Sequence, residues 1–174
     1  MAITLGRRYQ EISKRDQLTG LFNRDGASAW IEAMNEQDDT AFGSLIILDI
    51  DHFKDINDRF GHDCGDKVLR QVADVLADNM RGSDCLARWG GEEFLIYLPQ
   101  LDIAAATQIA EKLRCTVQSH KFVAAPGLTV TISLGVGESD PGEPFESLFD
   151  RVDRALFRAK SCGRNRTEKA QEEV

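Results

Sequence analysis

The run Ser44-Leu45-Ile46-Ile47-Leu48-Asp49-Ile50-Asp51 is the most informative stretch of the chain. Its aliphatic residues follow one another without polar alternation, as in a central strand buried on both faces. The strand closes on Asp49-Ile50-Asp51, so carboxylates stand at its C-terminal edge. Downstream come a short helix and a glycine-rich bend, Phe60 to Asp66, and then a longer amphipathic helix carrying Val68, Leu69, Val72, Val75 and Leu76. Residues 85–89 and 94–98 read as two strands joined around Gly90-Gly91, because both glycines tolerate positive φ. A helix over 103–118, a strand from Leu128 to Val136 and a last helix over 145–160 follow, the last burying Leu148, Val152, Ala155, Leu156 and Ala159. Upstream, the turn-like stretch Asp16 to Gly26 leads into a helix with Ala27, Trp30, Ile31 and Met34 on its buried stripe. Residues 1–15 read as a helix with Leu5, Tyr9 and Ile12 on one side, either the end of a stalk from an upstream module or a helix lying on the domain. The order β-α-β-β-α-β with extra helices at both ends predicts an α+β domain, an antiparallel sheet covered by helices in the ferredoxin-like manner.

The 174 residues suit one domain with one sizeable core. A chain with 42% hydrophobic and 29% charged residues and four prolines is neither disordered, collagen-like nor a small disulfide scaffold. The longest apolar run, Phe94 to Leu98, is far short of the roughly 20 residues needed to span a bilayer. Arg7 and Arg8 precede no apolar stretch fit for a secretory signal, so a cytoplasmic location is expected, although a longer parent protein could be membrane-anchored. Cys64, Cys85, Cys115 and Cys162 form no C-x-x-C pair and read as reduced thiols. His52, His62 and His120 lack ligand spacing, and the sequon Asn165-Arg166-Thr167 is incidental in a cytoplasmic chain. A formal net charge of −8 argues against nucleic-acid polymers and anionic lipid, so an anionic ligand needs a local basic site.

Two acidic pairs stand at element ends: Asp49 with Asp51, and Glu92 with Glu93 at the glycine hairpin. If the hairpin pairs beside the central strand, these carboxylates converge, and a cation is needed to offset their repulsion. Hard oxygen ligands suit Mg²⁺ or Mn²⁺, which complete their shells with water and phosphate oxygens. That donor set points to phosphoryl or nucleotidyl transfer, and Gly90-Gly91 would let a phosphate or ribose approach the backbone.

In combination, DQLTGLFNR (16–24), LDIDHFKDINDRFGHDCGD (48–66), RGSD (81–84), RWGGEEF (88–94), VTISLGVG (130–137) and DRALFRAKSCGRNR (153–166) resemble the GGDEF family, the diguanylate cyclases. The resemblance implies a nucleotidyl cyclase or polymerase palm-like fold over 16–166, followed by a polar tail at 167–174. It implies condensation of two GTP into cyclic di-GMP with release of two pyrophosphates, by a homodimer whose chains each bring one nucleotide and two divalent ions. By resemblance, Asp49, the Ile50 carbonyl, Glu92 and Glu93 hold metal, with Glu92 and Glu93 at the catalytic positions. Whether Glu92 accepts the proton or serves chiefly as a ligand stays open. Asn57 and Asp66 would read guanine, Lys54, Lys160 and Arg164 would contact the triphosphate, and Gly90 and Gly91 would form the substrate loop. Arg81 and Asp84 match the R-x-x-D site at which cyclic di-GMP inhibits. Arg88 is expected to support the hairpin or a partner contact. Phe157 in place of a common Tyr and Leu48 in place of a common Phe remove no reacting group. Two other outcomes compete with this one: a silent cyclic di-GMP receptor acting through Arg81 and Asp84, and an enzyme making an adenine-containing dinucleotide.

Overall fold

A computed structural model describes residues 14–37 and 42–171. The expected helix over 1–15 lies almost wholly outside the described residues. The elements run α1 (Arg24–Gln37), β1 (Gly43–Ile50), α2 (Phe53–Phe60), α3 (His62–Ala77), β2 (Cys85–Gly90), β3 (Glu93–Pro99), α4 (Ile103–Ser119), β4 (Ile132–Glu138), α5 (Phe145–Ser161) and β5 (Thr167–Lys169). The sheet order is β2-β3-β1-β4-β5, with β1 antiparallel to both β3 and β4. The first four strands therefore keep the ferredoxin-like arrangement, and the fold is α+β as expected.

Every residue of β1 is buried, because its alternate side chains enter two different cores. Ile46, Leu48 and Ile50 join Phe94, Ile96, Leu134 and Val136 beneath α2, α3 and α4. Leu45 and Ile47 join Leu95, Tyr97 and the α5 residues Leu148, Val152 and Leu156 on the opposite face. Each such side chain contributes about 1.5–3 kcal/mol when fully buried, so α5 is pinned firmly against the β1 face.

Three boundaries differ from the sequence reading. The bend expected over Phe60 to Asp66 contracts to Gly61, and α3 begins at His62. The strand expected from Leu128 starts only at Ile132. Thr167–Lys169, expected in a polar tail, pair parallel to β4 as β5, and Ala170 is buried beyond them. Among the described residues no helix is long and apolar enough to cross a membrane. All four cysteines are free, and burial pushes the Cys85 thiol up to about 12, which makes it an inert core residue.

Candidate active site

The β1–β3 register sets Asp49 directly opposite Glu93, so the expected convergence of strand end and hairpin occurs. The hairpin is tighter than expected. Its strands reach Gly90 and Glu93, leaving Gly91-Glu92 as a two-residue turn with Gly91 at φ 36°, a value that glycine adopts without strain. Glu92 thus sits at the tip, and its carbonyl accepts from the Ile50 N–H at 3.3 Å, which draws the tip to the end of β1. Arg88 braces the same turn. Its Nε and Nη2 donate to the Gly91 carbonyl at 2.9 and 2.7 Å, while Nη1 reaches both Asp16 oxygens at 3.2 Å. Burial opposes charge on Asp16, but the Thr19 hydroxyl and amide and Arg88 outweigh it and hold the carboxyl below its ordinary value. The stretch 16–24 gives no sign in sequence of what Asp16 and Thr19 do, because the brace joins segments far apart in the chain.

Lys160, delivered by the last turn of α5, places Nζ 2.8 Å from Asp49 Oδ2. The Asp49 side chain is 10% exposed and Lys160 is 32% exposed, so this pair is largely shielded. The Asp49 carboxyl stands raised at about 6: burial pushes it up most, Lys160 pulls it down, and Glu92 and Glu93 add to the rise. In this arrangement, no three acidic, histidine or cysteine side chains among the described residues converge in a metal-holding geometry, and Asp49 is paired with the Lys160 ammonium. The donors themselves fit a hard divalent ion: all are oxygens, and a desolvated carboxylate repelled by two neighbours gains most from a nearby cation.

Asp51 departs from the acidic group. Both its oxygens are engaged, by Thr131 Oγ1 at 2.7 Å, Ser133 Oγ at 2.6 Å and the Asn165 N–H at 3.0 Å. The two aspartates are alike in sequence, but Asp51 lies past the end of β1, where its N–H turns to the Thr131 carbonyl at 2.9 Å.

Asn57 in α2 packs against Gly65 in α3, the residue before Asp66. A Cβ on Gly65 would fall on Asn57 Oδ1 and crowd its Cγ at 2.9 Å, so the absent side chain is what admits the amide. Lys54 is exposed in the first turn of α2. Arg164 lies beyond α5 in a left-handed turn formed by Gly163, Arg164 and Asn165, at φ 112°, 63° and 46°. Arg81 and Asp84 stand on the approach to β2, where Asp84 Oδ2 accepts from the Arg81 N–H at 2.7 Å and the Arg81 side chain is exposed. The histidines hold structural or surface positions: His52 Nδ1 is 3.2 Å from Asp55, and His120 packs edge-on to Phe122.

Comparison with known proteins accords with this geometry. The family described as "Diguanylate cyclase, GGDEF domain" matches residues 13–166. Response regulator PleD of Caulobacter vibrioides is 43% identical over 162 residues, covering 89% of this chain and 36% of PleD. Diguanylate cyclase DgcP of Pseudomonas aeruginosa is 42% identical over 158 residues, covering 89% of this chain and 24% of DgcP. The chain therefore spans about a third or less of the length of these relatives. Among solved structures, the coiled coil and GGDEF domain of DgcB from Caulobacter crescentus in complex with c-di-GMP superposes with a TM-score of 0.89 at 32% identity, covering 97% of this chain and 92% of that one. Diguanylate cyclase SiaD of Pseudomonas aeruginosa, in complex with its activator SiaC, gives 0.86 at 38% identity, covering 98% of this chain and 66% of SiaD. A match running from residue 13 to residue 166, with relatives above 40% identity, makes this chain a member of the diguanylate cyclase GGDEF-domain family.

Proposed function

We propose that this domain condenses two GTP into cyclic di-GMP, each 3′-hydroxyl attacking the α-phosphate of the other nucleotide and expelling pyrophosphate. The observation that carries the reading is the register of Asp49 against Glu93, with the Lys160 ammonium 2.8 Å from the same aspartate. It supports a site where carboxylates and a phosphate-seeking cation meet at one strand end. Two Mg²⁺ or Mn²⁺ ions held by Asp49, the Ile50 carbonyl, Glu92 and Glu93 would supply charge neutralisation and a lowered pKa for the attacking hydroxyl.

The chain's own residues supply the rest. Asn57 and Asp66 offer an amide and a carboxylate to the guanine edge, a pairing that leaves polar groups unmatched against adenine. Lys54, Lys160 and Arg164 meet the triphosphate and give this acidic chain the local basic site that its ligand requires. The Arg88 brace keeps Gly90 and Gly91 open to the substrate. Since the product has two identical links, two chains facing one another across a two-fold axis complete the site, and the catalytic unit is an isologous dimer. The exposed Arg81 side chain beside Asp84 suits a phosphate or guanine edge of the product, which supports inhibition at that R-x-x-D position. The reaction's setting is cytoplasmic, and an upstream sensory segment would govern the association of the two copies.

The test is incubation with GTP and Mg²⁺ over a range of protein concentrations, with chromatography of the nucleotides and Glu93→Gln in parallel. Cyclic di-GMP should form at a rate per chain that climbs with concentration, and the variant should lose at least about a hundredfold of it. No product at high concentration, with cyclic di-GMP still bound, would establish a receptor instead.

A further inference from the structure

Asp51 has no part in the chemistry outlined above, yet it is 5% exposed and accepts three hydrogen bonds. Two come from β4 and its approach, Ser133 and Thr131. The third comes from a segment 114 residues away, the backbone N–H of Asn165. That donor belongs to the turn that follows α5. Gly163 is at ease in the left-handed region and Asn165 at φ 46° is of a type that tolerates it, but Arg164 at φ 63° is not, and such a residue persists there only where the surroundings fix it. The Arg164 N–H caps α5 through the Ala159 carbonyl at 3.0 Å, and Arg114 Nη1 donates to Asn165 Oδ1 at 3.0 Å. The Leu134 N–H takes the Arg166 carbonyl at 2.9 Å, which leads the chain into β5. Asp51 fastens this turn to the end of β1, two residues beyond Asp49.

We propose that Asp51 is a positioning residue: by holding the Asn165 N–H it keeps the left-handed turn closed and so aims the neighbouring Arg164 guanidinium at the phosphates of a bound nucleotide. The inference rests on the proposed assignment of Arg164 to the triphosphate. The three donors to Asp51 are all internal, whereas the Asp49 carboxylate faces the Lys160 ammonium, so the two aspartates hold different groups despite the matching residue type and the spacing of two.

The experiment measures binding by calorimetry for wild type, Asp51→Asn, Arg164→Ala and the double variant. The ligands are guanosine and a GTP analogue with an α,β-methylene bridge, which cannot release pyrophosphate. Amide hydrogen exchange at Asn165 is followed in parallel. Asp51→Asn should weaken the triphosphate by about tenfold or more and guanosine by less than about twofold. The double variant should bind no more weakly than Arg164→Ala, because one variant acts through the other residue. Exchange at Asn165 should quicken by about tenfold or more as its acceptor weakens. Should Asp51→Asn not fold, Asp51→Glu moves the acceptor by one methylene and carries the same readouts. Additive losses in the double variant, equal weakening of guanosine, undiminished triphosphate binding or unaltered Asn165 exchange would each overturn the proposal. Failure of the cyclase reading is distinguishable, since a wild-type chain that binds the analogue but makes no cyclic di-GMP leaves every arm of this test in place.

Discussion

Asp49 is more easily protonated in the folded chain than in the unfolded one, since its carboxyl is pushed from the ordinary 3.8 up to about 6. A raised acid binds protons more tightly in the native state, so the sign of its linkage is opposite to that of a salt-bridged aspartate. Its cost to stability is fully present above about pH 6 and fades as the pH falls towards the unfolded value. Without metal, Asp49→Asn should therefore be more stable than wild type by about 2 kcal/mol near pH 7.5, or about 4–8 °C in Tm, and the gap should close near pH 4. Thermal melts of both proteins in chelator across that range test it, and a gap independent of pH would sink it. At this scale the sequence was informative about residue types and less so about pairings. Asp49, Glu92 and Glu93 stood out as acids at element ends, whereas the Asp49–Lys160 pair joins segments that only the packing of α5 on the sheet brings together. Asp49 and Asp51 were grouped as one acidic pair at the strand end, but β1 closes at Ile50 and Asp51 beyond it turns to internal donors.

Elements defined by apolar periodicity were legible, and those held by backbone pairing or by a missing side chain were not. The helices α1, α4 and α5 carry apolar stripes and fall close to where periodicity places them. The three-residue β5 reads Thr-Glu-Lys and owes its place to hydrogen bonds with β4, which leave no hydrophobic signature. Gly61 and Gly65 together looked like a bend. Gly61 does separate α2 from α3, but Gly65 lies inside α3 because Asn57 occupies the space of its Cβ. This close approach predicts an unusual phenotype for Gly65→Ala. Alanine favours a helix by about 1 kcal/mol over glycine, which offsets the cost of moving the Asn57 amide and of a 3.2 Å approach to the Phe53 ring, so Tm should move by no more than about 4 °C. Guanine nucleotide affinity should fall by about tenfold as the amide is pushed aside. Calorimetry and a thermal melt on one sample decide it; a large drop in Tm with unchanged affinity would be the contrary result.

Across the whole molecule, a net charge of −8 means that two copies repel one another before their proposed faces meet. Raising ionic strength from about 0.02 M to about 0.2 M shortens the screening length from about 20 Å to under 10 Å. With GTP saturating, the protein concentration giving half-maximal rate per chain should consequently fall by a few-fold, and activity curves at the two salt levels check this. The β-α-β-β-α-β succession made an antiparallel, ferredoxin-like sheet legible from sequence, while the edge place of β5 in the order β2-β3-β1-β4-β5 was not. That same order has a consequence for the chain as it is made. Strand β1 lies between β3 and β4, both synthesised after it, and all eight of its residues need cover. As the polypeptide leaves the ribosome, its innermost strand waits without neighbours until roughly fifty further residues have emerged to form β3. The Asp49 carboxylate at the end of that strand acquires its lysine only when α5, which is made later than every strand from β1 to β4, comes down onto the sheet.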